Sequence, residues 1–285
     1  MIPEEISTAL GSEFTILSCK PLSGGDINQV YRLDTSSGTF CLKVNYSDRF
    51  PGMFEAEARG LNLLKDTEEI RIPGVIRVVS GKRYSALMLE YIHPARPEED
   101  YMFRFGVSLA KLHDHSATYY GLDHDNYMGS LPQSNRKSDS WVDFFREERL
   151  EQQVWMATDS GGLSTDTNRM FNQLFSKLEE LLVVGKPSLL HGDLWGGNFI
   201  ISETGHAALI DPAVYYGHGE VDLAMTKLFG GFSPEFYRGY ESHKQLAPGW
   251  MERLDLYQLY PLLVHVNLFG AGYLGSVRRI LQKFC

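Results

Sequence analysis

Residues 1–92 alternate short apolar runs with turn-forming segments, a pattern that is typical of a small β-sheet. Extended segments are predicted over residues 14–19, 30–33, 40–44 and 83–92. Residues 53–64 instead repeat apolar side chains at intervals of three and four, which predicts one amphipathic helix. The amino-terminal third is therefore expected to be a sheet with a single helix.

Helical spacing of apolar residues dominates the chain after residue 100. Three helices with apolar stripes suited to core packing are predicted over residues 101–115, 141–155 and 168–182. Two prolines within residues 93–97 interrupt regular structure and predict a hinge. The patterns together predict an α+β fold of two lobes, in which residues 1–92 form a small β-rich lobe and residues 93–285 a larger, mainly helical one.

The composition narrows the classes of partner. The chain has 285 residues, of which 43% are hydrophobic and 22% are charged, as in an ordinary globular protein. Its formal net charge is −9 and no basic run stands out. Nucleic acid and anionic membranes are therefore poor candidates as partners. A monomer is expected.

No segment predicts export or insertion into a membrane. The first residues lack a basic region followed by an apolar core. The most apolar late stretch, residues 259–274, is interrupted by a proline, polar side chains and glycines. Cys19, Cys41 and Cys285 are far apart and odd in number, which argues against a disulfide or zinc framework. A reducing cytoplasm is the expected location.

Residues 189–225 carry the candidate chemistry. Two short apolar runs flank a turn at residues 202–205, which predicts a hairpin. The hairpin would bring Asn198 and Asp211 side by side, and their amide and carboxylate oxygens are ligands of the kind that Mg²⁺ takes in proteins. Asp193, on the loop just upstream, is then placed to accept a proton from a substrate hydroxyl.

The spacing of these residues matches the kinase catalytic loop H-R-D-x-x-x-x-N. Gly192 replaces the arginine, and an Asp-Pro-Ala that begins at Asp211 replaces Asp-Phe-Gly. The match predicts a protein-kinase-like fold that binds ATP and Mg²⁺, with Asp193 as the catalytic base and Asn198 and Asp211 as metal ligands. The alternative is a loop whose Gly, Asp and Asn residues contact only their own backbone. The correctly spaced second aspartate disfavours that alternative.

A lysine and a glutamate of the small lobe are predicted to hold the nucleotide. Alternation along the strand at residues 40–44 places Lys43 on the face opposite the apolar side chains. Glu57 falls within the apolar stripe of the predicted helix, where an unpaired carboxylate would be costly. Lys43 is its expected partner, as in kinases. The alternatives are a Lys43 on a solvated outer face and a Glu57 that reaches water at the edge of the stripe.

Two further segments are predicted to contact the nucleotide through their backbone. Gly24 and Gly25 follow the first strand and are expected to form a flap whose N–H groups cover the phosphates, with a plain hairpin turn as the alternative. At the end of the last strand of the small lobe, the backbone of Glu90 and Ile92 is expected to contact the adenine edge.

Residues around the motif are assigned to support or to substrate. His191 is expected to bond to the backbone and fix the loop, and Asp222 to be the N-cap of a helix while it ties the loop down. His113 and His115, at a helix end, are interpreted as solvated side chains without a role. Four side chains are candidates for contacting a sugar-like substrate, with plain packing as the alternative: Trp195, Tyr216, His218 and Glu220.

The chain resembles the fructosamine kinase (ketosamine-3-kinase) family, which belongs to the wider aminoglycoside-phosphotransferase-like kinases. The resemblance rests on HGDLWGGN at residues 191–198, DPAVYYGHGEVDLAM at 211–225, FGGF at 229–232, KVN at 43–45 and MFEAEARGLNLL at 53–64. It runs from Pro21 to the final helices. The segment at 211–225 is far more specific than the loop shared with other kinases.

The resemblance implies a two-lobed kinase fold and ATP-dependent phosphorylation of the 3-hydroxyl of a ketosamine, the Amadori-type adduct of a sugar with an amine. The unstable product would fall apart and release the amine, so the protein would repair glycated amines or protein lysines. Carried over by position, Lys43 and Glu57 are the nucleotide-lobe pair, Asp193 is the base, and Asn198 and Asp211 are the magnesium ligands.

Two departures from the family pattern and two rival functions accompany this interpretation. Gly196 stands where the family often has serine, and residues 25–27 lack the cysteine that links two chains in some members, so a redox-linked dimer is not expected. The first rival is a kinase of the same fold that acts on an aminoglycoside, choline or homoserine. The second is a non-catalytic nucleotide-binding module.

Overall fold

The small lobe is built on a five-stranded antiparallel sheet. The computed structural model describes residues 2–22 and 27–285, so the predicted flap at Gly24 and Gly25 lies outside the described residues. In spatial order the strands are β1 (Ile16–Pro21), β2 (Gln29–Thr35), β3 (Gly38–Tyr46), β5 (Tyr84–Glu90) and β4 (Val75–Ser80). Strand β4 had no predicted counterpart, because its exposed and half-buried residues give no clear alternation.

Each face of this sheet packs against one helix. On one face, α1 (Glu4–Leu10) inserts Ile6 and Leu10 among Leu42 and other strand residues. On the other face, α2 (Met53–Lys65) buries Phe54 and Leu61 in the larger core that continues into the second lobe. The alternation predicted for β3 is confirmed, since Leu42 lies in the α1-side core while Lys43 reaches a side chain of α2.

The second lobe is mainly helical, which confirms the α+β, two-lobed prediction. Its helices are α3 (Tyr101–Leu112), α4 (Trp141–Phe144), α5 (Gln152–Asp159), α6 (Thr165–Phe175), α7 (Leu178–Leu181), α8 (Glu220–Leu228), α9 (Pro234–His243), α10 (Trp250–Phe269) and α11 (Leu274–Phe284). Its short strands are β6 (Asn126–Met128), β7 (Leu131–Gln133), β8 (Ser188–Leu190), β9 (Phe199–Ile201), β10 (Ala207–Leu209) and β11 (Tyr215–Gly217).

Two predicted helices differ in detail from the structure. The helix predicted over residues 141–155 contains a π-helical stretch, Phe145–Glu151, between α4 and α5. That stretch buries Arg149, whose guanidinium lies 3.9 Å from the centre of the Tyr215 ring. The helix predicted over residues 168–182 begins earlier, because the Ser164 side chain caps it, and it is interrupted between α6 and α7.

The connection between the lobes runs beside the β9–β10 hairpin. The Ala95 N–H donates to the Ile201 carbonyl at 3.1 Å, and the Glu98 N–H donates to the Gly205 carbonyl at 3.0 Å. The predicted hinge at residues 93–97 is therefore held to the hairpin that carries the candidate metal ligands.

None of the helices among residues 2–22 and 27–285 is both long enough and apolar enough to cross a membrane.

Two glycines let α3 and α9 pack with their backbones in contact. A Cβ added at Gly106 of α3 would lie 1.9 Å from the Phe236 carbonyl oxygen, and one added at Gly239 of α9 would lie 2.0 Å from the Phe103 carbonyl oxygen. Since backbone atoms cannot swing aside as a flexible side chain can, any larger residue must push the two helices apart.

We expect Gly106→Ala to lower the free energy of unfolding by about 1–3 kcal/mol, the usual cost of overpacking. Gly275→Ala in α11 is the matched control, because no atom of the described residues lies within 4 Å of its added Cβ. The control should be more stable than the wild type by about 0.5–1 kcal/mol, through helix propensity alone. Urea unfolding measures both, and equal effects of the two substitutions would contradict the close packing.

Candidate active site

Lys43 joins the two lobes at the candidate site. Its Nζ lies 2.6 Å from Glu57 Oε1 on α2 and 2.5 Å from Asp211 Oδ1 in the second lobe. Burial by itself lowers the pKa of Lys43, but the charges of Asp211 and Glu57 and their hydrogen bonds outweigh it and raise that pKa above its ordinary value. Lys43 is therefore charged. The ion pair expected with Glu57 is present, and the contact with Asp211 was not foreseen.

The β9–β10 hairpin places Asn198 beside Asp211, as its pattern predicted. Phe199 pairs with Leu209 in the hairpin, and the Ile210 N–H donates to the Asn198 carbonyl at 3.0 Å. The residue that follows Ile210 is Asp211, so the two candidate metal ligands leave the hairpin at the same end.

Asp211 holds an unusual backbone conformation. Its φ of 55° lies in the left-handed region, which costs a residue other than glycine about 1–3 kcal/mol unless the surroundings enforce it. Aspartate tolerates this region better than most residues. The side chain is 42% exposed and lines the cleft between the lobes. The strained backbone of Asp211 thus accompanies the placement of its carboxylate in the cleft.

Asn198 and Asp211 fit a metal ion that arrives with other ligands. The Asn198 amide nitrogen donates to the Asp193 carboxylate at 2.9 Å and to the Asp193 carbonyl at 2.8 Å, which leaves the amide oxygen for a cation. No cluster of three or more His, Cys, Asp or Glu side chains in the described ranges could hold a metal by itself. A Mg²⁺ bound here would therefore need further oxygen ligands from a nucleotide and water.

Asp193 has the properties of a proton acceptor near neutral pH. Burial raises the pKa of Asp193 to about 7. The hydrogen bond from Asn198 lowers this pKa, but the charges of Asp211 and Asp222 add to the increase. A carboxylate that titrates near 7 is ionised at slightly alkaline pH and basic enough to take a proton from a hydroxyl.

Asp222 fixes the backbone of the loop that carries Asp193. Its carboxylate accepts the His191 N–H at 2.8 Å and the Gly192 N–H at 2.9 Å. Burial by itself raises the pKa of Asp222, but hydrogen bonds and nearby histidines outweigh it and lower that pKa, so the group is ionised. The prediction that Asp222 is an N-cap is wrong, because α8 begins two residues earlier at Glu220.

His191 supports the same loop from inside, as expected. Its ring Nε2 lies 2.9 Å from the Ile210 carbonyl oxygen, and the Asp193 N–H donates to its Nδ1 at 3.3 Å. The proton therefore belongs on Nε2. At Gly192, φ is 83° and a Cβ would lie 2.0 Å from the Ala213 carbonyl oxygen, so the residue that replaces the kinase arginine must be glycine.

The interpretation of His113 as a solvated side chain is wrong. The residue is 1% exposed, its Nε2 lies 3.2 Å from Asp222 Oδ2, and its Nδ1 lies 2.8 Å from the Tyr240 hydroxyl. It became buried because α9 packs over the end of α3. Its position, four residues after Leu109 and eight after Phe105, continues the apolar stripe of α3, and this local signal for burial was overlooked because Asp114 and His115 follow it. His115 is 41% exposed in its side chain, as expected.

A cleft of about 190 Å³ between the lobes brings the main candidates together. Residues of both lobes line it, and they include Lys43, Glu57, Asp193, Trp195, Asn198 and Asp211. Trp195 is 39% exposed and packs edge-on against Phe229. Of the four substrate candidates, it is the only one among the described residues that reaches the cleft.

The structure does not bring the other three substrate candidates to the cleft. Tyr216 lies in β11, which pairs with β8 and leads away from Asp193. Glu220 is 1% exposed and pairs with Arg253 through two hydrogen bonds of 2.9 and 2.5 Å. His218 lines a separate cavity. These three residues follow the motif closely in sequence, but after Ala213 the chain runs behind the loop and away from the cleft.

Glu90 and Ile92 lie where β5 leaves the sheet for the hinge. The Glu90 side chain bonds to Arg71 and accepts the Gly74 N–H at 3.0 Å, and the Glu90 N–H donates to the Gly74 carbonyl at 2.8 Å. The Glu90 side chain is thus engaged inside the lobe. The adenine contact through this backbone stays a prediction.

Comparison with known proteins identifies related sequences over the whole length. The family described as fructosamine kinase matches residues 1–285. A Synechocystis sp. protein assigned as a ketoamine kinase is 41% identical over 285 residues, which cover 99% of this chain and 95% of that protein. The chloroplastic protein-ribulosamine 3-kinase of Arabidopsis thaliana is 35% identical over 281 residues, 96% of this chain and 84% of that protein.

Solved structures show the same architecture. A Thermobifida fusca protein assigned as a fructosamine-3-kinase superposes with a TM-score of 0.87 at 30% identity, over 98% of this chain and 97% of that chain. The aminoglycoside phosphotransferase APH(4)-Ia, in a ternary complex with AMP-PNP and hygromycin B, gives a TM-score of 0.67 at 16% identity over 98% of both chains. The predicted protein-kinase-like fold is confirmed.

We expect Asp193→Asn to stabilise the protein increasingly as the pH rises from 4 to 7. The folded state raises the pKa of Asp193 above its unfolded value, so the wild type loses stability once the unfolded chain ionises, and the loss is complete above pH 7. The asparagine variant lacks this loss. Urea unfolding at pH 4 and 8 measures the difference, with the exposed Asp139→Asn as control. A difference from the wild type that is the same at both pH values would disprove the assignment.

Proposed function

Because the chain belongs to the fructosamine kinase family, we propose that it transfers the γ-phosphate of ATP to the 3-hydroxyl of a ketosamine. The relatives from Synechocystis and Arabidopsis are assigned to ketoamine and protein-ribulosamine phosphorylation, which supports this acceptor class. The observation that carries the proposal is the convergence of Lys43, Asp193, Asn198 and Asp211 on one cleft. These are the side-chain types that phosphoryl transfer from a nucleotide needs.

In the proposed reaction the small lobe holds the nucleotide. The Lys43 ammonium, oriented by Glu57 at 2.6 Å, binds the α- and β-phosphates. Asn198 and Asp211 would hold Mg²⁺, which when bound neutralises the charge of the phosphates. We also propose that the Glu90 and Ile92 backbone binds adenine, in keeping with their position at the hinge.

Asp193 acts on the acceptor. Its carboxylate orients the 3-hydroxyl toward the γ-phosphate and takes the proton as the new P–O bond forms and the bond to ADP breaks. The Asn198 amide donates one hydrogen bond to the Asp193 carboxylate and one to the Asp193 backbone carbonyl, and both hold Asp193 in place. Most of the rate enhancement would therefore come from positioning. Trp195 offers its exposed ring as one wall for the sugar.

The product explains why such an enzyme would be useful. A phosphate on the carbon next to the ketone makes the adduct unstable, so it breaks down and releases the amine. The enzyme would in this way reverse glycation of amines or protein lysines. The three thiols recorded as free, Cys19, Cys41 and Cys285, support action in a reducing compartment such as the cytoplasm.

The rival functions are weaker. The likeness to APH(4)-Ia is too distant to suggest an aminoglycoside acceptor, since at 16% identity it concerns the fold. A non-catalytic module would not need Asp193 held by two amide hydrogen bonds beside a strained Asp211. ADP release measured with a ketosamine, with the free sugar, with the free amine, and with an aminoglycoside, choline and homoserine separates these functions. Release that requires the ketosamine supports the proposal, and release with an aminoglycoside, choline or homoserine instead would overturn it.

We expect Asp193→Asn to reduce kcat by about 10²–10⁴, the typical contribution of a positioned base. The asparagine keeps the size of the side chain, so the KM for ATP should change little. Initial rates of ADP formation with a saturating ketosamine measure both values, and Asp139→Asn is the control outside the cleft. Turnover close to that of the wild type would remove Asp193 from the proposed role.

We expect Asp211→Ala to abolish the Mg²⁺-dependent rise in melting temperature that ATP causes, because the variant lacks a metal ligand. The wild type should gain stability with ATP and Mg²⁺ together, as any ligand that binds only the folded state stabilises it. Thermal unfolding with ATP, with and without Mg²⁺, measures the effect, and Asp139→Ala is the control. An unchanged shift in the Asp211 variant would contradict its metal role.

A further inference from the structure

A second cavity, of about 530 Å³, lies behind the loop that carries Asp193. Among residues 2–22 and 27–285, it shares no lining residue with the cleft between the lobes. Its walls come from the end of α3, the segment 183–188 before β8, the start of α8, and the segment 244–247 after α9. Its volume falls in the range of about 300–1,000 Å³ that is usual for small-molecule sites.

One wall of this rear cavity consists of the groups that hold Asp222. His113 and Tyr240 both line it, and they are bonded to each other at 2.8 Å. The other nitrogen of His113 reaches the Asp222 carboxylate at 3.2 Å. A Cβ at Gly219 would lie 2.8 Å from His113 Nδ1 and 3.0 Å from the Tyr240 hydroxyl, so both side chains pack closely against the Gly219 backbone. A molecule in the cavity would contact the wall one residue away from Asp222.

The charges around the rear cavity favour an anion. Lys244 is neutralised by Asp114 at 2.8 Å, and Glu220 by Arg253 at 2.5 Å. Lys186 lines the cavity, and within the described ranges it has neither an ion pair nor a hydrogen bond. Among the charged side chains that line the cavity, Lys186 is thus the one without a counter-charge in the described ranges.

Neutral donors stand beside this charge. Burial lowers the pKa of His218 to about 4, and the charges of Arg253, His113 and Lys244 contribute to the decrease, so the ring is neutral. The N–H groups of Gly185 and Lys186 find no acceptor in the part of the chain that the structure describes. These donors, with the Lys186 ammonium, suit the oxygens of a phosphate or carboxylate group.

We propose that the rear cavity binds a small anionic metabolite with a phosphate or carboxylate group, and that its occupancy stabilises the catalytic loop through His113 and Asp222. A ligand that binds this wall only in its ordered form stabilises the ordered form by mass action. The His191 and Gly192 amides bond to Asp222, so they report that order directly. The proposal concerns a site outside the cleft and does not depend on the identity of the acceptor.

Binding is tested on the full chain saturated with Mg²⁺ and AMP-PNP, so that the nucleotide part of the cleft is filled. Inorganic phosphate, glucose 6-phosphate and succinate serve as probes, and chloride at matched ionic strength corrects for salt. Isothermal titration should show saturable binding of at least one probe, with a Kd near ~1 mM for a few charge-assisted hydrogen bonds. A preference for phosphates or for succinate identifies which of the two groups the site takes.

Lys186→Ala is the test variant, because Lys186 is exposed and is not among the described residues that line the cleft. We expect it to raise the Kd of the probe about tenfold, the effect of one lost charge-assisted contact. Lys20→Ala, an exposed lysine of β1, is the matched control and should bind as the wild type does. Absence of saturable binding for all three probes, or equal Kd values in the Lys186 and Lys20 variants, would overturn the proposal.

Coupling is tested by hydrogen exchange, which needs no enzymatic turnover. A saturating probe should slow amide exchange in residues 189–194 at least about twofold in the wild type and leave it unchanged in Lys186→Ala. The α1 segment is the internal reference, because it lies in the other lobe. Saturable binding without slower exchange of residues 189–194 would show that the cavity does not act on the loop, and the proposal would fail.

Discussion

The active-site geometry depends on one buried carboxylate, that of Asp222. It accepts the N–H groups of His191 and Gly192 and is itself held by His113. The removal of such a charge from water is costly unless each of its lone pairs finds a donor. Here the donors belong to the very loop that must be positioned, so the requirement to satisfy the charge also fixes the loop. The positions of Asp193 and Asn198 therefore depend on the hydrogen bonds between Asp222 and this loop.

A second ion cluster relates the two lobes. Lys43 comes from the sheet and Glu57 from the helix beneath it, whereas Asp211 comes from the hairpin of the larger lobe. Each lobe therefore supplies part of a site that neither forms alone. The hairpin also contacts the hinge through backbone hydrogen bonds, so the distance between the lobes is limited by these bonds as well as by charge.

The sequence predicted most of this site because its signals are local. The register of a short hairpin follows from its turn, so the adjacency of Asn198 and Asp211 could be deduced from spacing. The pairing of Lys43 with Glu57 followed from a charge placed inside an apolar stripe. Strands and helices with clear periodicity, such as β3, α2 and α3, were predicted for the same reason.

The features that escaped prediction depend on distant packing. His113 owes its role to α9, which follows it by more than a hundred residues, and nothing near His113 indicates that helix. Tyr216, His218 and Glu220 are not among the described residues that line the cleft, because neighbours in sequence need not face the same cavity. The helix that contains Asp222 begins at Glu220, two residues before the predicted N-cap. The Asp222 side chain accepts hydrogen bonds from the loop and not from the start of its own helix.

The contact between Lys43 and Asp211 has a consequence for the order of events at the site. The ammonium contacts one of the two Asp211 carboxylate oxygens, the group proposed to bind a divalent cation, at a distance of 2.5 Å. A hydrated ion arriving alone would meet the positive charge of Lys43 beside this carboxylate and would bring no new partner for it. A triphosphate that carries the ion supplies new oxygens to Lys43 in the same step. The metal would then bind together with the nucleotide, and free cations alone would bind the site only weakly.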